Sequence, residues 1–383
     1  MIQRRMTRQI RVGGVPIGGG APIPVQSMTN TPTQDVSATV AQIRRLEEAG
    51  CDIVRVAVPD AAAAQAIGAI KARIRIPVIA DVHFDHRLAI AAARSGADGL
   101  RINPGNIGGS KKVKEVVECA RNYGIPIRIG VNSGSLEKDL LNKYNGATPE
   151  GMVASALRHV ELLRALDFHD IKVSLKASDV RRTVAAYRQL SAVTDLPLHL
   201  GVTEAGTLFS GLIKSALGIG TLLAEGIGDT LRVSLTRDPV EEVRAGYEIL
   251  AALDIRRRGP EIIACPTCGR TRIDLFGIVE QVEKALTASR APIKIAVMGC
   301  VVNGPGEARE ADIGIAGGDG IGALFRKGKV IRTFPEEQLV EVLLKEVAKL
   351  EKRRRPKADG LKSGASAAGR RSTLTERTFK NNG

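Results

Sequence analysis

From Pro22 to about Ala252 the chain alternates short, nearly unbroken aliphatic runs with longer stretches whose apolar positions recur at helical spacing. Runs this continuous predict strands buried on both faces, and helical crossovers between them predict parallel pairing. The predicted strands are Pro24–Met28, Ile53–Val58, Pro77–Val82, Gly99–Asn103, Pro126–Val131, Asp170–Lys176, Leu196–Val202 and Thr230–Leu235. A helical segment follows each, as at Val36–Ala49 and Pro239–Ala252. Eight such units in about 230 residues fit a TIM (β/α)8 barrel better than a doubly wound sheet.

The pattern changes after Arg256-Arg-Arg-Gly-Pro260. Beyond it lie predicted strands Glu261–Ala264, Pro292–Met298 and Ala311–Ala316, helices Asp274–Ser289 and Pro335–Lys352, and a hairpin about Gly322–Thr333. The expected organisation is an α/β chain: a TIM barrel over residues 1–258, a smaller α+β domain over 259–355, and a basic tail over 356–383.

Charge inside the barrel strands changes the picture. Four strands share an aliphatic–Arg–aliphatic pattern: Val54-Arg55-Val56, Leu100-Arg101-Ile102, Ile127-Arg128-Ile129 and Leu231-Arg232-Val233. A fifth ends in Lys176. A lone cation inside a barrel costs several kcal/mol unless paired. Five converging on one barrel mouth point to a strongly anionic ligand, and the guanidinium fork suits phosphate oxygens. Ser234 follows Arg232 by two residues and shares its side of the strand, so the residues predict a diphosphate site. The competing reading is that individual arginines pair with barrel carboxylates such as Asp52 or Asp81.

Other residues at strand ends leave alternatives open. Glu204, in Thr203-Glu-Ala-Gly206, is either a proton donor and base or a partner that neutralises an arginine. His83, in Ala80-Asp-Val-His-Phe-Asp85, is a ligand contact or a satisfied histidine of the barrel lip. The connection from Asn132 to Thr148 is long for a βα loop, as lids and interface segments are. Gly105, Gly108 and Gly109 allow backbone N–H groups to approach an anion, a weak signal by itself.

The formal net charge of +15 suggests a nucleic-acid binder, but much of it is local. Residues 352–383 carry ten basic against two acidic residues, and the Gly/Ser/Ala-rich tail is expected to be disordered. No nucleic-acid partner is therefore expected. Nor is a membrane partner, since no run approaches the roughly 18 apolar residues of a span. Five cysteines in 383 residues and no signal-peptide pattern fit a reducing cytoplasm.

Three cysteines fall on two Gly/Pro-rich loops: Cys265-Pro-Thr-Cys268 and Cys300-Val-Val-Asn-Gly-Pro-Gly-Glu307. Structural zinc prefers four Cys or His ligands, and no histidine lies beyond His199. Iron–sulfur clusters are held by thiolates, with one position open to replacement, which points to redox chemistry. The rival is a non-redox phosphate-binding barrel carrying a zinc ribbon, though no second Cys-x2-Cys pair exists. Cys51 and Cys119 are most simply small buried residues.

Read together, these motifs resemble the two-domain bacterial 4-hydroxy-3-methylbut-2-enyl diphosphate synthases. The matching stretches include Val25-Gln-Ser-Met-Thr-Asn30, Leu100-Arg-Ile-Asn-Pro-Gly-Asn-Ile-Gly108, Gly134-Ser-Leu-Glu-Lys-Asp139, Val173-Ser-Leu-Lys-Ala-Ser-Asp179 and Glu225-Gly-Ile-Gly-Asp-Thr-Leu-Arg-Val-Ser234, besides both cysteine loops. The resemblance covers about residues 3–350 and departs at Gly317–Lys329 and in the tail. It implies one 4Fe–4S cluster per chain on Cys265, Cys268, Cys300 and Glu307. It further implies diphosphate binding by Arg55, Arg101, Arg128, Lys176, Arg232 and Ser234, with Glu204 as acid/base. The implied reaction is reductive ring opening of 2-C-methyl-D-erythritol 2,4-cyclodiphosphate with loss of water, in isoprenoid biosynthesis. Flavodoxin or ferredoxin would supply electrons to a homodimer with shared sites.

Overall fold

The computed structural model describes residues 2–287, 289–300, 306 and 308–354. Glu307 and the tail 356–383 lie outside the described residues. The chain divides into two compact units, the first spanning Met1–Arg258 and the second beginning at Gly259.

The first unit opens with a hairpin, β1 (Ile10–Val12) against β2 (Val15–Ile17), turned at Gly13 with a φ of +53°. The strand reading did not anticipate it. Its Ile10, Val12 and Ile17 pack on Ile53 and Ile79, so a small apolar cluster covers the lower end of the strands that follow.

Six of these form a continuous parallel sheet in sequence order: β3 (Gln26–Met28), β4 (Ile53–Ala57), β5 (Val78–Asp81), β6 (Gly99–Ile102), β7 (Ile127–Asn132) and β8 (Ile171–Lys176). Two short strands, β9 (His199–Leu200) and β10 (Thr230–Leu231), pair in parallel with each other. Single parallel bridges, Val173 to Leu198 and Val25 to Leu231, join them to β8 and β3 and close the ring. The barrel is therefore present, with its last two staves shorter than the predicted Leu196–Val202 and Thr230–Leu235.

Helices between the strands bury their aliphatic faces on the barrel in one continuous core. Asp60, Asp179 and Thr148 cap three of them through side-chain oxygens that accept backbone N–H groups. Asp52 fastens the end of the unit to its first barrel strand. It accepts from the Val25 N–H at 2.8 Å, pairs with Arg256 at 2.7 Å and receives the Tyr247 hydroxyl at 3.1 Å. The long connection after β7 is folded: a 3-10 turn at Ser133–Ser135 and a short helix Lys138–Lys143 lie against helix Pro149–Arg164. An Asp139–Arg158 ion pair at 2.6 Å and a Glu137–His159 contact at 2.9 Å hold it.

The second unit is one five-stranded sheet in order β11 (Glu261–Ala264), β12 (Lys294–Met298), β13 (Ile313–Gly318), β14 (Ile321–Arg326), β15 (Lys329–Pro335). The first three pair in parallel and the last three antiparallel. Helices Leu275–Leu286 and Leu339–Arg354 cover one face through Val282, Leu286, Leu339, Leu343 and Val347. Among the described residues, no helix is long and apolar enough to cross a membrane.

Candidate active site

Strand alternation carries the predicted cations to one interior. In the β5–β8 register Asp81, Arg101, Arg128 and Lys172 occupy neighbouring positions, while Arg55 stands beside Met28 on β3. Arg55, Arg101, Arg128 and Lys176 are all buried. Arg232 joins them with its side chain 17% exposed, and Ser234 is half-buried two residues on.

Carboxylates answer only part of this charge. Asp81 sits between two guanidiniums, 3.1 Å from Arg101 and 3.6 Å from Arg55. Burial would raise its pKa, but the Arg55 charge, a hydrogen bond from His83 and the Arg101 charge together hold it far below the usual carboxylate range. His83 stands 2.9 Å from the same Arg101 nitrogen, so the predicted lip histidine is part of this network. Arg232 forms a two-pronged pair with Glu242, at 3.0 and 3.2 Å, and Glu242 also accepts from the Ser27 hydroxyl and the Leu235 N–H. Asp52 is committed to Arg256 and leaves the strand arginines alone. The competing sequence reading is thus right for Arg55, Arg101 and Arg232. Arg128 and Lys176 have no ion-pair partner among the described residues, and Arg128 Nε and one terminal nitrogen lack hydrogen bonds.

Two glycines make the enclosure possible. A Cβ at Gly130 would lie 2.5 Å from Arg101 Nε. One at Gly201 would lie 2.4 Å from Lys176 Nζ and 2.6 Å from the Arg232 carbonyl. Cβ atoms do not approach other atoms that closely, so any larger residue displaces a cation or the neighbouring backbone.

Glu204 follows β9 in a left-handed backbone, φ +52°, and is exposed. A non-glycine residue held there costs of order 1–3 kcal/mol, and such strain clusters at functional sites. It forms no ion pair among the described residues, so the second role open to it, neutralising an arginine, is not the one seen here. Asn103 caps the short helix Pro104–Ile107 by accepting the Gly105 N–H at 3.2 Å, so that amide is satisfied internally.

In the second unit β11 and β12 are adjacent and parallel, with Ala264 opposite Val297. Their C-terminal ends therefore deliver the Cys265 and Cys300 loops side by side, and Cys265, Cys268 and Cys300 line one pocket. The Gly299 N–H donates to Cys265 Sγ at 3.2 Å, and the Cys268 N–H donates to Thr271 Oγ1 at 3.2 Å. A Cβ at Gly299, which also lines the pocket, would meet the Thr271 side chain at 3.0 Å, so a larger residue there would crowd it. Three soft sulfur donors, one already receiving an amide hydrogen bond, suit a thiolate-held iron–sulfur group. Among the described residues no group of three or more His, Cys, Asp or Glu side chains forms a site for a lone metal ion.

Sequence reasoning missed Lys172, His199 and Glu242, all buried in or against the barrel. Strand parity held the signal for the first, since Lys172, Ser174 and Lys176 alternate along β8 and share one face. Glu242 sits on a helix, where no strand pattern points to it.

Replacing Asp81 with Asn leaves two buried guanidiniums without their shared carboxylate and is expected to destabilise the unit by ~3–5 kcal/mol. Because the folded carboxyl is depressed, its contribution is complete above about pH 4 and declines only below that. Urea unfolding of both proteins at neutral pH measures the difference; equal midpoints would show that Asp81 does not hold these arginines.

Residues 7–247 match the GcpE TIM-barrel domain and residues 261–349 the GcpE protein C-terminal domain. A protein of Geobacter sulfurreducens, "4-hydroxy-3-methylbut-2-en-1-yl diphosphate synthase (flavodoxin)", is 62% identical over 344 residues, 90% of this chain and 98% of its own. A protein of the same name from Desulfotalea psychrophila is 60% identical over 354 residues, 92% of this chain and 97% of its own. Another from Caldanaerobacter subterraneus is 61% identical over 349 residues, 91% and 98% respectively. Matched through both of its units, the chain belongs to the GcpE family.

Proposed function

We propose that this protein is a flavodoxin-dependent oxidoreductase of isoprenoid biosynthesis that converts 2-C-methyl-D-erythritol 2,4-cyclodiphosphate to 4-hydroxy-3-methylbut-2-enyl diphosphate. The observation that carries the reading is the enclosure of Arg128 and Lys176 without carboxylate partners, a barrel interior that only an anion completes. Arg55, Arg101, Arg128, Lys176, Arg232 and Ser234 bind the diphosphate, and Asp81 and His83 hold Arg101 in place.

Glu204 is the proton donor and base, since it is held at a strand end in a strained backbone with its carboxyl free of arginine. A 4Fe–4S cluster held by Cys265, Cys268, Cys300 and Glu307 supplies single electrons when bound. The Gly299 N–H supports Cys265 as its ligand by stabilising negative charge on the sulfur. Flavodoxin, which the relatives' names specify, or a ferredoxin delivers the two electrons. Thiolate ligation of this kind belongs to a reducing compartment, the cytoplasm.

The working form is a homodimer. Phe209, Ile213 and Leu217 lie exposed at i, i+4 and i+8 along helix Leu208–Ala224, with the small Ala216 between them. A second copy of a chain carrying +15 meets least repulsion on such an apolar face, which only Lys214 borders on this helix, whereas an acidic electron carrier favours basic surface. Leu217→Asp is expected to give monomers in sedimentation velocity while far-UV dichroism stays unchanged; an intact dimer moves the interface elsewhere.

The decisive assay is anaerobic: iron and labile sulfide are quantified, then reductant and the cyclic diphosphate are added and the allylic diphosphate is measured. Iron and sulfide with product support cluster, substrate and reaction together. Equimolar zinc, no sulfide and no product would leave the phosphate-binding barrel with a zinc ribbon. Glu204→Gln is expected to keep cluster and substrate binding while product formation falls by about 10²-fold or more; near-normal turnover removes the acid/base role. Glu307→Ala should weaken the cluster while three thiolates remain, so an unchanged cluster spectrum eliminates Glu307 as fourth ligand.

A further inference from the structure

The barrel holds a second polar layer that the proposed chemistry does not use. Lys172, near the start of β8, is 1% exposed and its Nζ has no hydrogen-bond partner among the described residues. It faces Arg128 across the β7–β8 register. Among the described residues, His199 on β9 is fully buried with neither ring nitrogen bonded, and Gln26 on β3 is fully buried with neither end of its amide bonded. The Tyr187 hydroxyl, from helix Val180–Val193, donates to the His199 carbonyl, so that backbone is fixed while the imidazole is left open.

A count of charge shows the difficulty. Arg55 on β4, Arg101 on β6, Arg128 on β7, Lys172 and Lys176 on β8 and Arg232 after β10 face one interior. Asp81 on β5 and Glu242 are the carboxylates that answer them. Several unmatched charges in so dry a space would each cost several kcal/mol. Arginine does not surrender its proton in a protein, whereas buried lysine does. The two lysines must therefore yield. Lys176 lies at the barrel mouth among the substrate-binding groups. Lys172 lies four residues lower, about 13 Å along the strand.

We infer that Lys172 is a proton-linked counter-charge, neutral in the free protein and protonated when the diphosphate enters, so that substrate affinity depends on pH through a lysine below the binding groups. This rests on the barrel being the diphosphate site. Burial first, then the charges of Arg128 and Arg55, push the Lys172 ammonium well below its ordinary range. Burial first, then the charge of Arg128, do the same to His199, which therefore stays neutral and offers a polar neighbour without adding charge. An entering dianion reverses the balance, since each negative charge favours the protonated lysines.

The sign follows from linkage. A lysine neutral when free and charged when bound takes up a proton on binding, so affinity rises about tenfold per proton for each pH unit lowered between its two pKa values. The cyclic diphosphate carries one strongly acidic oxygen per phosphorus and does not titrate near neutrality, so the protons counted belong to the protein. The measurement is anaerobic titration calorimetry of the cluster-loaded, unreduced protein with the cyclic diphosphate, near neutral pH, in two buffers of different ionisation heat. Wild type is expected to take up about two protons per chain and Lys172→Met about one, with a correspondingly shallower fall of affinity with pH. Lys176→Met, weaker in binding, is expected to retain an uptake of about one, which also serves if Lys172→Met fails to fold.

Equal uptake in wild type and Lys172→Met overturns the inference, as does loss of all uptake in Lys176→Met. Tight binding by wild type with no proton uptake means that solvent anions already neutralise the free barrel, and it overturns the inference while leaving the diphosphate site intact. No binding by wild type removes the diphosphate site itself, and this inference with it.

Discussion

Holding excess positive charge away from water is the constraint on which the barrel unit depends. A buried guanidinium is stabilised by an anion, a hydrogen-bond acceptor or solvent, and the interior supplies these unevenly. Asp81 serves Arg55 and Arg101 at once, Glu242 serves Arg232, and Met28 Sδ lies 3.0 Å from an Arg55 nitrogen. What remains beside Arg128 and the two lysines is an interior with fewer anions than basic groups, which an anionic guest offsets. The hairpin beneath the strands and the glycines between them follow from that, one closing the lower end and the others giving long side chains room.

The second unit solves a different problem with the same kind of geometry. Parallel neighbouring strands end together, so two loops distant in sequence arrive at one pocket with three sulfurs. An antiparallel pair in that place would send its two following loops to opposite edges. The antiparallel strands β13 to β15 extend the sheet away from the cysteines, where order of arrival has no chemical consequence.

Much of the architecture was legible because it is written in periodicity. Unbroken aliphatic runs with helical intervals announced parallel strands, and the aliphatic–Arg–aliphatic triplets announced where charge would collect. The last two staves are shorter than predicted because an aliphatic run does not reveal where its backbone leaves the ladder. The N-terminal hairpin was missed because its strands span three residues each, too few for a pattern. Lys172 is legible by parity, since it shares a face of β8 with Ser174 and Lys176, but it lies below the strand end where ligand-binding residues are expected. Glu242 was illegible, since only the tertiary fold brings its helix against Arg232.

The left-handed backbone at Glu204 carries a practical consequence. Glycine adopts that conformation freely, so a variant with glycine there relieves strain that the native side chain maintains. A selection for heat resistance alone would therefore drift toward the very change that discards the carboxyl. The same selection has no such freedom at Gly130 or Gly201, where every alternative side chain is larger. Thermal tolerance and turnover pull in opposite directions at one loop and are bound together at two others, so directed evolution of this scaffold needs both readouts from the first round.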